Sequence, residues 1–163
     1  PHAAYRRQRQ MCIRDRSGGG KGTQAKKLIE YIATKDKRNV FHMQSGARIR
    51  DFLQESSHAA KLARELSPQG KLQPAFLSVW GWAGELIKKL DVDEHLILDG
   101  APRRLDEAKL VTEALHFFKR EGIKVVYIDV SNEWSRERLL GRHEGRKDDS
   151  NLDAINKLSL IHI

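Results

Sequence analysis

The chain of 163 residues has one cysteine, Cys12, which leaves no partner for an internal disulfide and no cluster for a zinc or iron–sulfur centre. A reducing, cytoplasmic setting is the expectation. No apolar run approaches the roughly 18 residues that a membrane-spanning helix needs, and charged residues make up 32% of the chain, so a soluble protein without a membrane partner is expected. The seven histidines show no ligand spacing, so no metal site is expected from them. His42 and His95 lie in strand-like segments, where packing or local bonding is the ordinary role. Acidic residues are the scarcer charge, 22 against 30 basic ones, for a net charge of +8. Half of that excess lies in residues 1–16, where five arginines face Asp15 alone. What remains is ordinary for a single domain, and a nucleic-acid partner is not expected.

Residues 1–16, PHAAYRRQRQMCIRDR, show no helical or strand period and differ in composition from everything after Ser17. They read as a foreign or disordered tail. Their apolar centre is too short for a secretory signal. A basic nucleic-acid arm is the weaker reading. Residues 158–163 turn abruptly apolar and read as a second foreign tail.

Between these ends helices alternate with strands. Ala25, Leu28, Ile29 and Ile32 form the apolar stripe of a helix over about 22–34, and a short strand follows at Asn39 to Met43. Ile49, Phe52 and Leu53, then Ala59, Leu62, Ala63 and Leu66, mark two short helices before Pro68 and Gly70 break the chain. Val79, Trp82, Ala83, Leu86, Ile87 and Leu90 form the longest stripe. Trp82 reads as core, whereas Trp80 must face elsewhere and Trp134 would shield a sheet edge. His95 to Leu98 is a buried strand ending in Asp99-Gly100, and Lys124 to Val130 is the clearest strand of all. The helix between them runs through Ala108, Val111, Ala114, Leu115 and Phe118, with Gly122 at the place of a left-handed cap. Glu133 to Gly141 and Leu152 to Lys157 predict two more helices. This alternation predicts an α/β fold, a parallel sheet covered on both faces, with ligands beyond the carboxyl ends of the strands.

Ser17-Gly-Gly-Gly-Lys-Gly-Thr-Gln24 opens the first amphipathic helix, so backbone N–H groups and the helix dipole point together at an anion. Gly18, Gly19, Gly20 and Gly22 let the chain curl around phosphate oxygens, and Lys21 adds a point charge for the β- and γ-phosphates. The pattern has a gap. Its first glycine would stand six residues before the lysine, where this chain has Asp15, and Met11-Cys-Ile13 is a poor version of the strand that should precede the loop.

From Ser17 to Lys157 the chain resembles the adenylate kinase family of nucleoside-monophosphate kinases, through several motifs in order. GGGKGTQA is similar to the family's ATP-binding loop, including the Gly-Thr after the lysine. Phe41-His-Met-Gln-Ser-Gly46 with Ile49-Arg50 resembles the entry to the monophosphate-binding helices, which implies Ser45 and Arg50 as AMP ligands. Gly70-Lys-Leu-Gln-Pro74 is similar to the turn where the backbone meets adenine, implying Lys71, Leu72 and Gln73. Asp99-Gly-Ala-Pro-Arg103 resembles the loop that grips the acceptor phosphate, implying Gly100, Ala101, Pro102 and Arg103, with Asp99 near the metal. Arg138-Leu-Leu-Gly-Arg142 is similar to the hinge arginines that face ATP, and Gly145-Arg-Lys-Asp-Asp149 to the lid's returning end, with Arg146 on the transferring phosphoryl group.

The resemblance implies a three-layer parallel-sheet kinase domain over 17–157, a helical monophosphate-binding segment at 44–73 and a short lid at 141–149 without a zinc insert. It implies Mg²⁺ with ATP, AMP as acceptor, and a monomer. Lys21, Arg103, Arg138 and Arg146 would be catalytic; Thr23 and Arg142 would join the ATP site. In the family the strand before the loop is central, and a further strand and helix follow the lid; a good version of either is expected to be missing here. Ala47 stands where the family often has an acid, Ala101 replaces a usual aromatic, and Glu107 replaces a glutamine that reads adenine. A carboxylate accepts but does not donate unless protonated, so a UMP- or CMP-type acceptor stays open, as does a nucleotide-binding fragment without turnover.

Overall fold

The computed structural model describes residues 8–66 and 72–141. Strands β1 (Gln10–Asp15), β2 (Val40–Gln44), β3 (His95–Asp99) and β4 (Lys124–Ile128) form one all-parallel sheet in the order β2-β3-β1-β4. Helices α1 (Lys21–Lys35), α2 (Ser45–Phe52), α3 (His58–Leu66), α4 (Ala75–Lys89), α5 (Leu105–Phe117) and α6 (Asn132–Leu140) fill the connections. None of them is long and apolar enough to cross a membrane.

The reading of residues 1–16 as a tail is corrected for 10–15, which form an interior strand paired to β3 on one side and β4 on the other. Sequence pattern hid it because an interior parallel strand is buried on both faces and shows no alternation. Only Met11, Cys12 and Ile13 are apolar here, while Gln10 and Asp15 are buried polar residues at the strand's ends. Residues 1–7 lie outside the described part, as do 142–163, which include the expected helix at 152–157, most of the lid and the second tail.

Successive strand residues point to opposite faces, and the core divides accordingly. Cys12, Leu96, Leu98 and Met43 pack with Trp82 and Leu86 of α4 and Val111 and Leu115 of α5. Met11, Ile13 and Ile97 pack with Ala25 and Ile32 of α1. A third cluster, Phe52, Ala60, Ala63 and Leu77, joins α2, α3 and α4. The stripe expected on α3 is displaced: Ala60 and Ala63 are buried, whereas Ala59 is exposed and Leu62 is half exposed. A nine-residue helix has two turns, too few to fix a face by pattern when alanines lie on several sides.

Trp82 is core and Trp80 faces outward, where its ring meets the Phe52 ring edge-on and carries the Arg48 guanidinium 4.6 Å from its centre. The helix α5 stops at Phe117, and its left-handed residue is Lys119, with φ 55°; Gly122, with φ 73°, lies three residues later in the run into β4. The strand that looked clearest, β4, sits at the sheet edge with Val125 and Tyr127 more than half exposed. Its β-branched composition described a pleated surface, and burial was decided by what packs against it.

Candidate active site

Three strand ends and three helix starts meet at one edge of the sheet. β1 runs into the glycine loop, β2 into α2, and β3 into Gly100 and the loop before α5. Gly20 caps α1 with φ 90° and Gly18 has φ 83°, so the chain makes its left-handed bends where glycine was read. Thr23 lies exposed in the first turn of α1. The loop is braced from behind by α6: the Ser135 hydroxyl donates to the Ser17 carbonyl, the Arg16 guanidinium donates to Asn132 Oδ1, and a Cβ on Gly18 would stand 2.8 Å from the Ser135 carbonyl oxygen. None of these α6 partners was legible in the sequence, because they lie more than a hundred positions away.

Lys21 extends its ammonium between two carboxylates, 3.3 Å from Asp15 Oδ1 and 3.4 Å from Asp99 Oδ1. Burial alone would push Asp99 up, but the hydrogen bond with His42 Nε2, 3.3 Å away, and the Lys21 charge outweigh it and hold the carboxyl below the ordinary value. His42 thus bonds locally, as its place in β2 suggested. Asp99 is a buried carboxylate kept ionised at the mouth of the sheet.

The acceptor-side residues converge on two glycines. A Cβ on Gly100, whose φ is +85°, would meet Ser45 Oγ at 2.8 Å, Arg103 Nη2 at 3.5 Å and Lys21 Cε at 3.6 Å. A Cβ on Gly46 would meet Arg50 Nη1 at 3.2 Å and Arg103 Nη2 at 3.9 Å. Ser45, Arg50, Arg103 and Lys21 therefore share one small space, although 82 positions separate the first from the last in sequence. Arg103 also donates through Nε to the Gly100 carbonyl at 2.9 Å. Arg138, in the last turn of α6, brings Nη1 to 3.9 Å from where a Cβ on Gly20 would lie, and its guanidinium rests 5.3 Å from the centre of the Trp134 ring. Trp134 is half exposed and serves that arginine on its helix.

Glu107, expected among the AMP ligands, lies in the first turn of α5. It is 2% exposed and accepts the backbone N–H of Arg103, closing the turn that enters α5. Burial pushes the Arg103 and Arg14 guanidinium groups down from the usual arginine range, and the Glu107 charge opposes the shift at both. Arg14, at the end of β1, is a residue the sequence reading missed: with Asp15, Ser17, Lys21, Gly100 and Arg103 it lines the cleft at the sheet's mouth. Only recognition of β1 as a strand would have found it.

Ala101 is fully buried in the core cluster with Trp82, Leu98 and Val111. Pro102 continues the loop, and Gln73, beside Leu72, donates through Nε2 to the Ala63 carbonyl at 3.0 Å. Lys71, Arg142 and Arg146 lie outside the described residues.

A glycine-rich loop that leaves the central strand of a parallel sheet, caps a helix and places a lysine at its mouth defines a phosphate-binding α/β protein of the P-loop class. Within that class, the model of the family described as adenylate kinase matches residues 15–160, and the chain belongs to that family. It is 34% identical over 133 residues to an adenylate kinase of Encephalitozoon cuniculi, a match covering 81% of this chain and 65% of that protein. It is 34% identical over 130 residues to an adenylate kinase of Rickettsia africae, covering 77% and 54%. It is 32% identical over 133 residues to "Adenylate kinase 1" of a Nostoc species, covering 82% and 67%. The chain spans between about half and two thirds of the length of these curated relatives.

Proposed function

We propose that the chain catalyses reversible transfer of the ATP γ-phosphoryl group to AMP, giving two molecules of ADP. The observation that carries this reading is the meeting of Ser45, Arg50, Arg103 and Lys21 around Gly46 and Gly100, directly beside the start of α1. One set of groups suits a triphosphate and the other a monophosphate, with Lys21 between them. Phosphoryl transfer needs the two nucleotides positioned in line and the oxygen charge neutralised, and it needs little covalent help from the protein. The loop amides and Lys21 hold the donor phosphates. Arg138 covers them from α6, Arg50 and Ser45 hold the acceptor, and Arg103 reaches the space between.

Mg²⁺ accompanies ATP in this proposal, and the residues present fit it. The phosphates would hold the ion, with Thr23 in the first turn of α1 and the buried Asp99 carboxylate at the end of β3 nearby. When bound, the ion neutralises phosphate oxygen charge. The monophosphate segment is 44–73, where Lys71, Leu72 and Gln73 would meet the base through their backbone. The lid is 141–149, from which Arg142 and Arg146 would complete the charge ring and exclude water. The catalytic unit is a monomer working in the cytoplasm, and it includes β1 as well as 17–157.

A UMP- or CMP-type acceptor is the second reading, which rests only on Glu107 standing where the family has a glutamine that reads adenine. Incubation with ATP and matched AMP, UMP or CMP, followed by quantifying ADP, UDP and CDP, separates the two. In the same assay Lys21→Ala should lose at least about 100-fold in rate, the scale of removing one charge-stabilising donor. Equal rates in parent and variant would remove the site from the reaction and leave a binding fragment.

A further inference from the structure

Asp15 is a residue of the described site that the phosphate-loop pattern leaves unexplained. It stands where the pattern has its first glycine, yet its carboxylate turns inward, with 4% of the side chain exposed. Oδ2 accepts the backbone N–H of Lys21 at 3.0 Å, and Oδ1 lies 3.3 Å from the Lys21 ammonium. These are the two donors that such a loop directs at phosphate oxygens. Gly19 folds tightly over the group: a Cβ there would stand 3.0 Å from both Asp15 Cβ and Oδ2. A small open cleft beside it is lined by Arg14, Ser17, Lys21, Gly100 and Arg103.

We propose that Asp15 is a resident anion of the phosphate loop, occupying the place of a donor phosphate oxygen until a nucleoside triphosphate displaces it. The proposal rests on the phosphotransfer reading above and assigns a control to its donor side. A carboxylate offers two acceptor oxygens to an N–H and an ammonium, the pairing that gives charge-assisted hydrogen bonds. Attached six residues from its partner, it competes intramolecularly, at an effective concentration that a free nucleotide must overcome. It also adds a second negative charge beside Asp99, so the lysine is held by two carboxylates on the side where a polyphosphate has to arrive. On the acceptor side, Ser45 and Arg103 bond to the Asp99 and Gly100 carbonyls, and the Asp15 charge reaches Arg103 only as a lesser effect, so acceptor affinity should respond far less than donor affinity.

Calorimetric titration with a non-hydrolysable β,γ-imido analogue of ATP, and separately with AMP, tests the proposal on the full chain, Asp15→Asn and Asp15→Gly. Asparagine keeps the side-chain volume at the end of β1 but removes the charge and turns one acceptor oxygen into an NH2 donor, and glycine removes the group altogether; a thermal melt of each variant verifies that it is folded. We expect both variants to bind the analogue at least about tenfold tighter than the parent, with AMP affinity changed by less than about twofold. Analogue affinity that is unchanged or weaker in the folded variants overturns the resident-anion proposal while leaving the phosphotransfer reading intact. An equal gain for AMP overturns it as well, because the effect would then be general charge and not occupancy of the donor loop. Failure of all three chains to bind either nucleotide overturns both.

Discussion

The Ser45 hydroxyl donates to the carbonyl oxygen of Asp99 at 3.2 Å, joining the first residue of α2 to the last residue of β3. Gly100 passes beneath this bond with φ +85°, so close that no side chain fits between. The bond draws two connections of the sheet together, and the space it leaves is where Lys21 and Arg103 meet.

Gly100→Ala should therefore be costly on two counts. The left-handed conformation penalises an L-residue by roughly 1–2 kcal/mol, and the new methyl would press on Ser45 Oγ from 2.8 Å. Urea unfolding should show a total loss of about 1–3 kcal/mol. Phosphotransfer should fall further than stability alone explains, since Lys21 and Arg103 line the same point.

Lys119 presents the opposite case. It is an exposed non-glycine residue with φ 55° directly after the last turn of α5, the position where helices commonly end on glycine. Lys119→Gly should raise stability by about 0.5–1 kcal/mol, read as a higher urea midpoint with an unchanged slope.

His95 is fully buried at the start of β3, where Nδ1 accepts the backbone N–H of Arg9 at 2.9 Å. Nε2 lies 3.2 Å from Asp36 Oδ2, near enough for attraction but not aligned as a hydrogen bond. Burial, helped by the Arg38 charge, pushes the imidazole below its ordinary 6.5, so the folded protein holds it neutral. The unfolded chain then binds more protons near that pH, and stability present above about 6.5 should drain away as the pH falls. Urea titrations between about pH 5 and 7.5 should show this slope in the parent and a flatter one in His95→Gln. A parallel slope in both would exclude His95 as the source.

Cys12 is 1% exposed between β3 and β4, and burial pushes its thiol up to about 11, against a smaller opposing effect of Arg14. Thiolate is the reactive form. A maleimide or disulfide reagent at pH 8 should leave the folded chain unlabelled and modify one thiol per chain after urea unfolding. Rapid labelling of the native protein would mean that β1 is not held inside the sheet.

The sequence by itself determined the alternation of helix and strand, the glycine loop and its lysine, and the order of motifs that marks the adenylate kinase family. These are local properties: a 3.6-residue stripe, a run of glycines and a charge at a fixed offset are readable without neighbours. It did not reveal β1, because Gln10, Arg14 and Asp15 mask a strand whose burial comes from β3 and β4 on either side. Nor did it reveal the inward turn of Asp15, the backbone bond of Glu107 or the brace from Ser135 and Asn132. Each depends on which distant groups share a space once the sheet is assembled. Tertiary structure alone decided these, since a polar side chain takes its role from the partner that meets it when water is removed.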